Sequence, residues 1–507
     1  MEKAEGASRG NATSGAVRAT SRPRRAAPDQ CEHTGVHERN PHRIFRILRG
    51  LRDLAFAMMW IRNQSAQHFK LSLATHSPYS CHPTSSNHTE ATPKPHPMEA
   101  SSTVELAKTT LLMVSIVMSL GVAAALLADR IRIPDVPILL IIGMAAGPAG
   151  LGWVNVPVGS TLNQLILIFG AAYILFDGGA TLRLAVLRQT WITITVISTA
   201  GVLITGGITA AAAHWLMDLP WPAALLLGAV LASTDPATLV PVFRQIAIRE
   251  RVAQTVMSES AFNDAMAAII TFSLLAAISG GGDFSLSAAL GDLVWEAGIG
   301  ILIGALIGYG LAWSIGHPRQ AWLVEHASVL TLIAVSAAYL TADRLHASGF
   351  MAVFVVGILH GNLDALGFAL EKKTAHESEH YILTTAFIMR VMIFILLGAQ
   401  VDFVLIRDQG LAALGLVLIF MLIARPLTVL LCAGPDRRAA WSRNELLFMC
   451  WTRETGVIPG ALAGMLLAMN APGARVIASV TLLAILITIL VQATTTRWLA
   501  LKLDLLD

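Results

Sequence analysis

The chain has 507 residues, 55% of them hydrophobic and 14% charged, with a formal net charge of +3 and a mean hydropathy of +0.63. Soluble domains carry about 25% charged residues, so the composition excludes one and describes a polytopic membrane protein. The net charge is too small to imply a nucleic-acid partner, no aromatic–basic pattern suggests one, and none is expected.

Residues 1–97 form a polar leader rich in Ser, Thr, His, Pro and Arg, with fourteen Lys and Arg and no spanning run. Ile44 to Ile61 is mildly amphipathic but too charged to cross a membrane. No apolar core precedes a small-residue cleavage site, so the leader is not a secretory signal. It is expected to be disordered. Met98 directly precedes the first span and would serve as an initiator, which makes 98–507 the membrane domain.

From Val104 onward the pattern predicts an all-α protein of thirteen spans, each of about 17–25 residues, as a hydrocarbon core of about 30 Å demands. They cover 104–128, 135–151, 161–179, 190–215, 221–243, 254–279, 289–315, 324–342, 349–361, 382–402, 410–433, 445–469 and 473–496. The ninth is short. No soluble regulatory domain is expected after the thirteenth. Of the four cysteines, Cys31 and Cys81 lie in the leader and Cys432 and Cys450 in apolar spans. They form no disulfide framework and read as inert thiols.

Lys and Arg set the orientation. One set of loops carries fifteen, from Arg130 and Arg132 to Arg497 and Lys502, while the opposite set carries only Arg344, Arg407 and Arg475. The rich side is expected to be cytoplasmic, which puts the C-terminus inside a cell (inner) membrane. Thirteen spans then place the N-terminus outside. A leader with fourteen positive charges fits poorly there, which favours the start at Met98.

The fifth span is interrupted at Pro236 and the twelfth at Pro459, seven spans later. Two Pro-interrupted segments in corresponding halves point to inverted repeats with discontinuous helices and a binding site where they cross. Membrane helices also tolerate proline without function, but here both prolines neighbour intramembrane charges.

Those charges carry the chemistry. Asp264 lies inside the sixth span, where a carboxylate costs about 2.5–3.5 kcal/mol on insertion scales and persists only if paired or functional. Such a group holds a proton or a desolvated cation but not both, and that competition couples two opposed ion flows. Ser260, one turn earlier on the same face, offers a hydroxyl oxygen. Asn263 has an amide to donate to a neighbouring acid or to freed backbone. Thr234 and Asp235 occupy the fifth-span break, where hard monovalent cations find backbone oxygen ligands. Asp235 is a ligand or caps the half-helix restarting after Pro236, with capping favoured. The Thr234 carbonyl is the favoured ligand. Asp177, in Leu175-Phe176-Asp177-Gly178-Gly179, reads equally as a cation ligand and as a solvated helix-end acid. An unpaired Arg425 in the eleventh span would be expensive, so a structural Glu259–Arg425 ion pair is expected. Arg453 and Glu454, before Pro459, pair with each other or face the break at Asp235, with a possible regulatory role. Arg390 is expected to snorkel. Loop histidines such as His376 and His380 read as solvated.

Ala232-Ser233-Thr234-Asp235-Pro236-Ala237-Thr238 and Glu259-Ser260-Ala261-Phe262-Asn263-Asp264-Ala265 resemble the paired signatures of monovalent cation:proton antiporters of the NhaP/NHE type. The resemblance covers most of 104–496, including Ile423-Ala424-Arg425-Pro426. It implies thirteen helices, a core domain beside a dimerisation domain, and a homodimer in the bilayer. It also implies that Asp264 carries cation or proton, that Thr234, Ser260 and Asp177 complete the Na⁺ or K⁺ site, and that Glu259 and Arg425 form a stabilising pair. Asparagine at 263, where electrogenic relatives hold aspartate, implies one-for-one electroneutral exchange. The twelfth span departs from the pattern, reading Thr452-Arg453-Glu454-Thr455-Gly456 where Leu-Arg-Gly-Ala is usual. Asp177 stands where glutamate is frequent. Both departures bear on the choice between Na⁺ and K⁺.

The expected function is secondary active exchange of Na⁺ for H⁺, with K⁺/H⁺ exchange on the same scaffold as the alternative. No cofactor is expected beyond the transported Na⁺, K⁺ or Li⁺ and H⁺, and no organic substrate. An intramembrane aspartyl protease would need a Gly-x-Gly-Asp element within a span, and the string Gly280-Gly281-Gly282-Asp283 falls between the sixth and seventh spans; a cation channel would need a carbonyl filter sequence, which does not appear. A non-transporting sensor would not need both an intramembrane acid and a broken crossing helix.

Overall fold

The computed structural model describes residues 97–131, 134–234, 248–279, 286–317, 321–368 and 370–506. Most of the leader and Asp235 with Pro236 lie outside them. Among the described residues every extended element is a helix, apart from one antiparallel bridge between Ile248 and Leu506. Eight helices are long and apolar enough to cross a membrane, and four shorter apolar helices accompany them: Asp135–Ala146, Trp221–Leu231, Gly349–Gly361 and Val457–Ala468. In a bilayer only helices and closed barrels satisfy the backbone, so a chain this apolar folds as helices.

In chain order the helices are α1 (Pro97–Ile131), α2 (Asp135–Ala146), α3 (Thr161–Ala180), α4 (Leu184–Met217), α5 (Trp221–Leu231), α6 (Glu250–Ser279), α7 (Leu286–Gly316) and α8 (Ala327–Arg344). There follow α9 (Gly349–Gly361), α10 (Lys372–Ala399), α11 (Phe403–Ile419), α12 (Arg425–Cys432), α13 (Arg443–Trp451), α14 (Val457–Ala468), α15 (Ala474–Thr488) and α16 (Thr494–Lys502).

The centre of the fold is α6. From Thr255 to Ile269 nearly every residue is buried, whichever way it faces. A helix buried all round runs through protein rather than along lipid. It packs on α4, α5, α7 and α9. The short α14 touches α3, α5, α6, α10 and α15, so both interrupted segments meet the same helix. α3 and α9 approach closely at glycines: a Cβ on Gly357 would lie 2.2 Å from the Phe176 carbonyl oxygen. Asn362 ties the turn after α3, accepting from Leu184 N–H (3.0 Å) and donating to the Leu182 carbonyl (2.7 Å).

Several boundaries differ from the sequence expectation. α6 starts at Glu250 rather than 254, because Arg249 N–H bonds the Leu505 carbonyl (3.1 Å) and the folded-back C-terminal segment steadies the first turn. The twelfth span is not interrupted at Pro459. Its break is the buried non-helical segment 452–456, and Pro459 sits in the first turn of α14. A first-turn proline forfeits no intrahelical bond, so it marks a helix start rather than a break. The eleventh span continues through a π-helical turn, Phe420–Ala424, between α11 and α12. Pro426 cannot donate to the preceding turn, and such turns absorb the mismatch. Arg390 is mostly buried and pairs with Asp135 at 3.6 Å.

Candidate ion-handling site

α5 ends at Leu231, and Ala232, Ser233 and Thr234 leave it as irregular backbone beside the middle of α6. Asp264 is 2% exposed and lies near the midpoint of α6 rather than toward one end. The Ser233 hydroxyl donates to Asp264 Oδ1. Thr234 is held by Asn263, whose Oδ1 accepts the Thr234 N–H (3.1 Å) and whose amide donates to Thr234 Oγ1 (2.9 Å). Thr234 Oγ1 also lies 2.7 Å from Ser260 Oγ. One carboxylate and three hydroxyls, from α6 and from the irregular chain after α5, thus form a buried pocket-like cluster of hard oxygen donors.

The pocket is braced by two buried arginines. Arg425, 1% exposed, binds Glu259 through two bonds of 2.5 and 2.8 Å. It also donates to the Met449 (2.9 Å) and Thr452 (3.4 Å) carbonyls, where α13 ends. Arg453 donates to the Ala232 carbonyl at the end of α5 and stands 5.2 Å over the Phe420 ring. Helix C-termini leave carbonyls without intrahelical partners, and guanidinium groups satisfy them in both interrupted spans. The end of α15 and the π-helical turn after it, Ile489–Ala493, complete the arrangement. Thr488 Oγ1 accepts the Thr455 N–H (3.1 Å), and Gln492 donates to the Trp451 carbonyl (2.7 Å).

Two cavities lie along the neighbouring helices. One of about 680 Å³ is lined by Asp177, Glu250, Gln254, Met257, His360 and Glu379, among others. One of about 280 Å³ includes Gln400, Asp402, Asn470 and Arg475 in its lining. They open at opposite ends of α3 and α10.

The structure therefore brings Thr234, Ser260, Asn263 and Asp264 together and pairs Glu259 with Arg425. Asp177 is half-buried and lines the larger cavity. Its neighbour Gly178 adjoins α6, for a Cβ there would lie 3.7 Å from that of Ala261. Arg453 faces the fifth-span break, and Glu454 is fully buried beside it. Asp235 lies outside the described residues. Sequence reasoning missed Ser233, although it adjoins Thr234 inside the quoted motif, because a serine beside a threonine carries no sign of which hydroxyl meets the acid. It also missed the arginine contacts to the ends of α5 and α13, which become visible only when the helix ends are placed. Cys432 and Cys450 are free thiols. They pack with Val256 and Met449 in an apolar cluster.

Fold and composition define a polytopic helical membrane protein in which two interrupted helices meet around buried ionisable groups. Residues 115–502 match the sequence profile described as sodium/hydrogen exchanger, transmembrane. The chain is 30% identical over 368 residues to the K(+)/H(+) antiporter NhaP2 of Shewanella oneidensis, covering 72% of this chain and 62% of that protein. It is 30% identical over 415 residues to Na(+)/H(+) antiporter 1 of Methanocaldococcus jannaschii, covering 76% and 93%. The structure of the sodium proton antiporter MjNhaP1 from Methanocaldococcus jannaschii at pH 8 matches with a TM-score of 0.65 at 28% identity, over 79% of this chain and 99% of that one. The chain spans about three fifths of the length of the Shewanella relative, the 62% given above. By these matches it belongs to the sodium/hydrogen exchanger family.

Proposed function

We propose that this protein is a secondary active antiporter exchanging a monovalent cation for a proton, with Asp264 binding one or the other. The observation that carries the reading is a carboxylate buried at mid-helix among the hydroxyls of Ser233, Thr234 and Ser260, where two half-helices end. Oxygen donors suit hard cations. The carbonyl end of α5 adds partial negative charge without a second titrating group. Cation and proton compete for Asp264, which alternating access exposes to each side of the membrane in turn. With Asn263 beside it, one carboxylate serves each cycle, so exchange is one for one and electroneutral.

Na⁺ is the proposed cation, in keeping with the named activity of the Methanocaldococcus relative, which this chain matches over 93% of its length. K⁺/H⁺ exchange is the second reading, favoured by the Shewanella relative's name. The proposed architecture has thirteen spans. The short helices α2, α5, α9 and α14 and the 18-residue α8 join the eight long ones, with the interrupted spans in two inverted repeats. The proposed setting is a homodimer in the cell membrane, with the arginine-rich loops and the C-terminus cytoplasmic. The protein in proteoliposomes with an internal pH dye should alkalinise or acidify the lumen when Na⁺, K⁺ or Li⁺ is added, and Asp264→Asn should not. Cation-driven pH change in Asp264→Asn equal to that of the wild type would remove the assignment.

A further inference from the structure

The Arg453 guanidinium donates to the Ala232 carbonyl. That carbonyl and the Ser233 N–H share one peptide unit, and the Ser233 hydroxyl donates to Asp264 Oδ1. The orientation of one peptide plane therefore decides whether Asp264 keeps this donor. Arg453 itself stands in the non-helical segment 452–456, where no helical ladder fixes it.

The end of α15 and the helix beyond it supply what that segment lacks. Two residues before Arg453, the Trp451 carbonyl accepts the Gln492 side-chain amide (2.7 Å), and the Trp451 indole donates to Thr495 Oγ1 (2.8 Å). Two residues after Arg453, the Thr455 N–H donates to Thr488 Oγ1 (3.1 Å). Thr455, Thr488 and Gln492 are all 0% exposed, so water does not stand in for these bonds. Backbone polar groups at membrane depth must find their partners within the protein. The π-helical turn Ile489–Ala493 starts directly after Thr488 and contains Gln492, and such turns gather at functional sites.

We propose that Thr488 and Gln492 are positioning residues for ion exchange. They clamp the broken twelfth span on both sides of Arg453, and through the Arg453–Ala232 bond they keep the Ser233 hydroxyl on Asp264. Neither touches the transported ion. The proposal rests on the antiport reading and deepens it. Releasing either bond lets Arg453 leave Ala232, which frees the Ser233 peptide and weakens the donor to Asp264. Loss of a donor to a carboxylate favours its protonated form. Cation affinity should then fall, and proton inhibition should begin at higher pH. One neutral hydrogen bond corresponds to a change of about two- to tenfold in an equilibrium constant.

The test is exchange in proteoliposomes, read as KM for Na⁺ and K⁺, maximal rate and the pH at which protons inhibit. Thr488→Val removes the acceptor at nearly constant shape, and Gln492→Met removes the amide donor. Each should raise KM by about threefold, move proton inhibition to higher pH and leave the maximal rate nearly unchanged. Thr488→Ser retains the hydroxyl and should restore the wild-type values. Because the clamp acts through Ser233, adding Thr488→Val to Ser233→Ala should raise KM no further than Ser233→Ala alone, whereas independent effects would add. A merely structural role would lower yield or maximal rate and leave KM and the pH profile in place. The proposal is overturned by wild-type KM and pH profile in both apolar variants, by additivity with Ser233→Ala, or by a Thr488→Ser protein as impaired as Thr488→Val. Should Thr488→Val fail to fold, Gln492→Met carries the same expectations, alone and combined with Ser233→Ala. Should neither fold, the clamp is structural and the proposal falls. A wild-type protein that exchanges no cation sinks the antiport reading itself, which is a different outcome.

Discussion

Replacing Glu259 with Gln removes a charge and keeps the shape. In the folded protein Arg425 is 1% exposed, so no water takes the place of the lost carboxylate. Two bonds of 2.5 and 2.8 Å between opposite charges become at most one, donated by the guanidinium to the uncharged Gln carbonyl, while the Gln amide nitrogen opposes a guanidinium N–H. The bonds to the Met449 and Thr452 carbonyls survive and hold the guanidinium in place. Breaking a buried ion pair by removing one partner costs about 3–5 kcal/mol. The surviving bonds place Glu259→Gln near the low end, at about 3 kcal/mol. Thermal unfolding of the purified protein in detergent, followed by tryptophan fluorescence, should show a clearly lowered midpoint. Replacing both members with Met should recover part of the loss, because a matched apolar pair leaves no uncompensated charge. A Glu259→Gln protein with the wild-type midpoint, or one that is stable yet has a greatly altered cation affinity, would refute a structural role for the pair.

Ser233→Ala should raise the cation KM by about tenfold, since a hydrogen bond to a charged group is worth about 1.5–3 kcal/mol. The hydroxyl donates to Asp264 Oδ1, a bond that favours the carboxylate over the acid, so its loss should make proton inhibition begin at higher pH. Gly357→Ala should sharply reduce the yield of folded protein on size-exclusion chromatography, because the new Cβ would stand 2.2 Å from the Phe176 carbonyl oxygen. In the loop between α12 and α13, burial raises the pKa of Asp436, but hydrogen bonds from the Thr193 hydroxyl and from the Ala439 and Arg438 N–H groups outweigh it and hold the carboxyl below its ordinary 3.8. A carboxyl with a depressed folded pKa stabilises above its unfolded value and loses that stabilisation as pH falls through the folded one. Asp436→Asn should therefore lower the unfolding midpoint at neutral pH and leave it little changed well below pH 3.8, measured by acid titration of the midpoint.

The helical membrane class was legible because spanning segments announce themselves by length and apolarity, and the Glu259–Arg425 pair because neither charge is tolerable alone at depth. Local geometry was less legible. Pro459 misled because proline signals both helix breaks and helix starts, and only the position of the non-helical 452–456 segment separates the two. The sequence also shows nothing of the pairing of Arg390 with Asp135, about 255 residues away along the chain but 3.6 Å away in space. The same limit hid Ser233 and the Arg453 bond to Ala232, both contacts between distant segments. Motif spacing brought Asn263, Asp264 and Ser260 onto one helix, but the partner of each depended on where α5 ends.

Competition between cation and proton at one buried carboxylate is tested most directly by proton release from the purified protein in weakly buffered detergent solution. Adding Na⁺ or K⁺ near the pH of half-maximal exchange should release protons in proportion to cation bound, saturating together, and Asp264→Asn should release none. Cation binding without proton release, or undiminished release from Asp264→Asn, would contradict it.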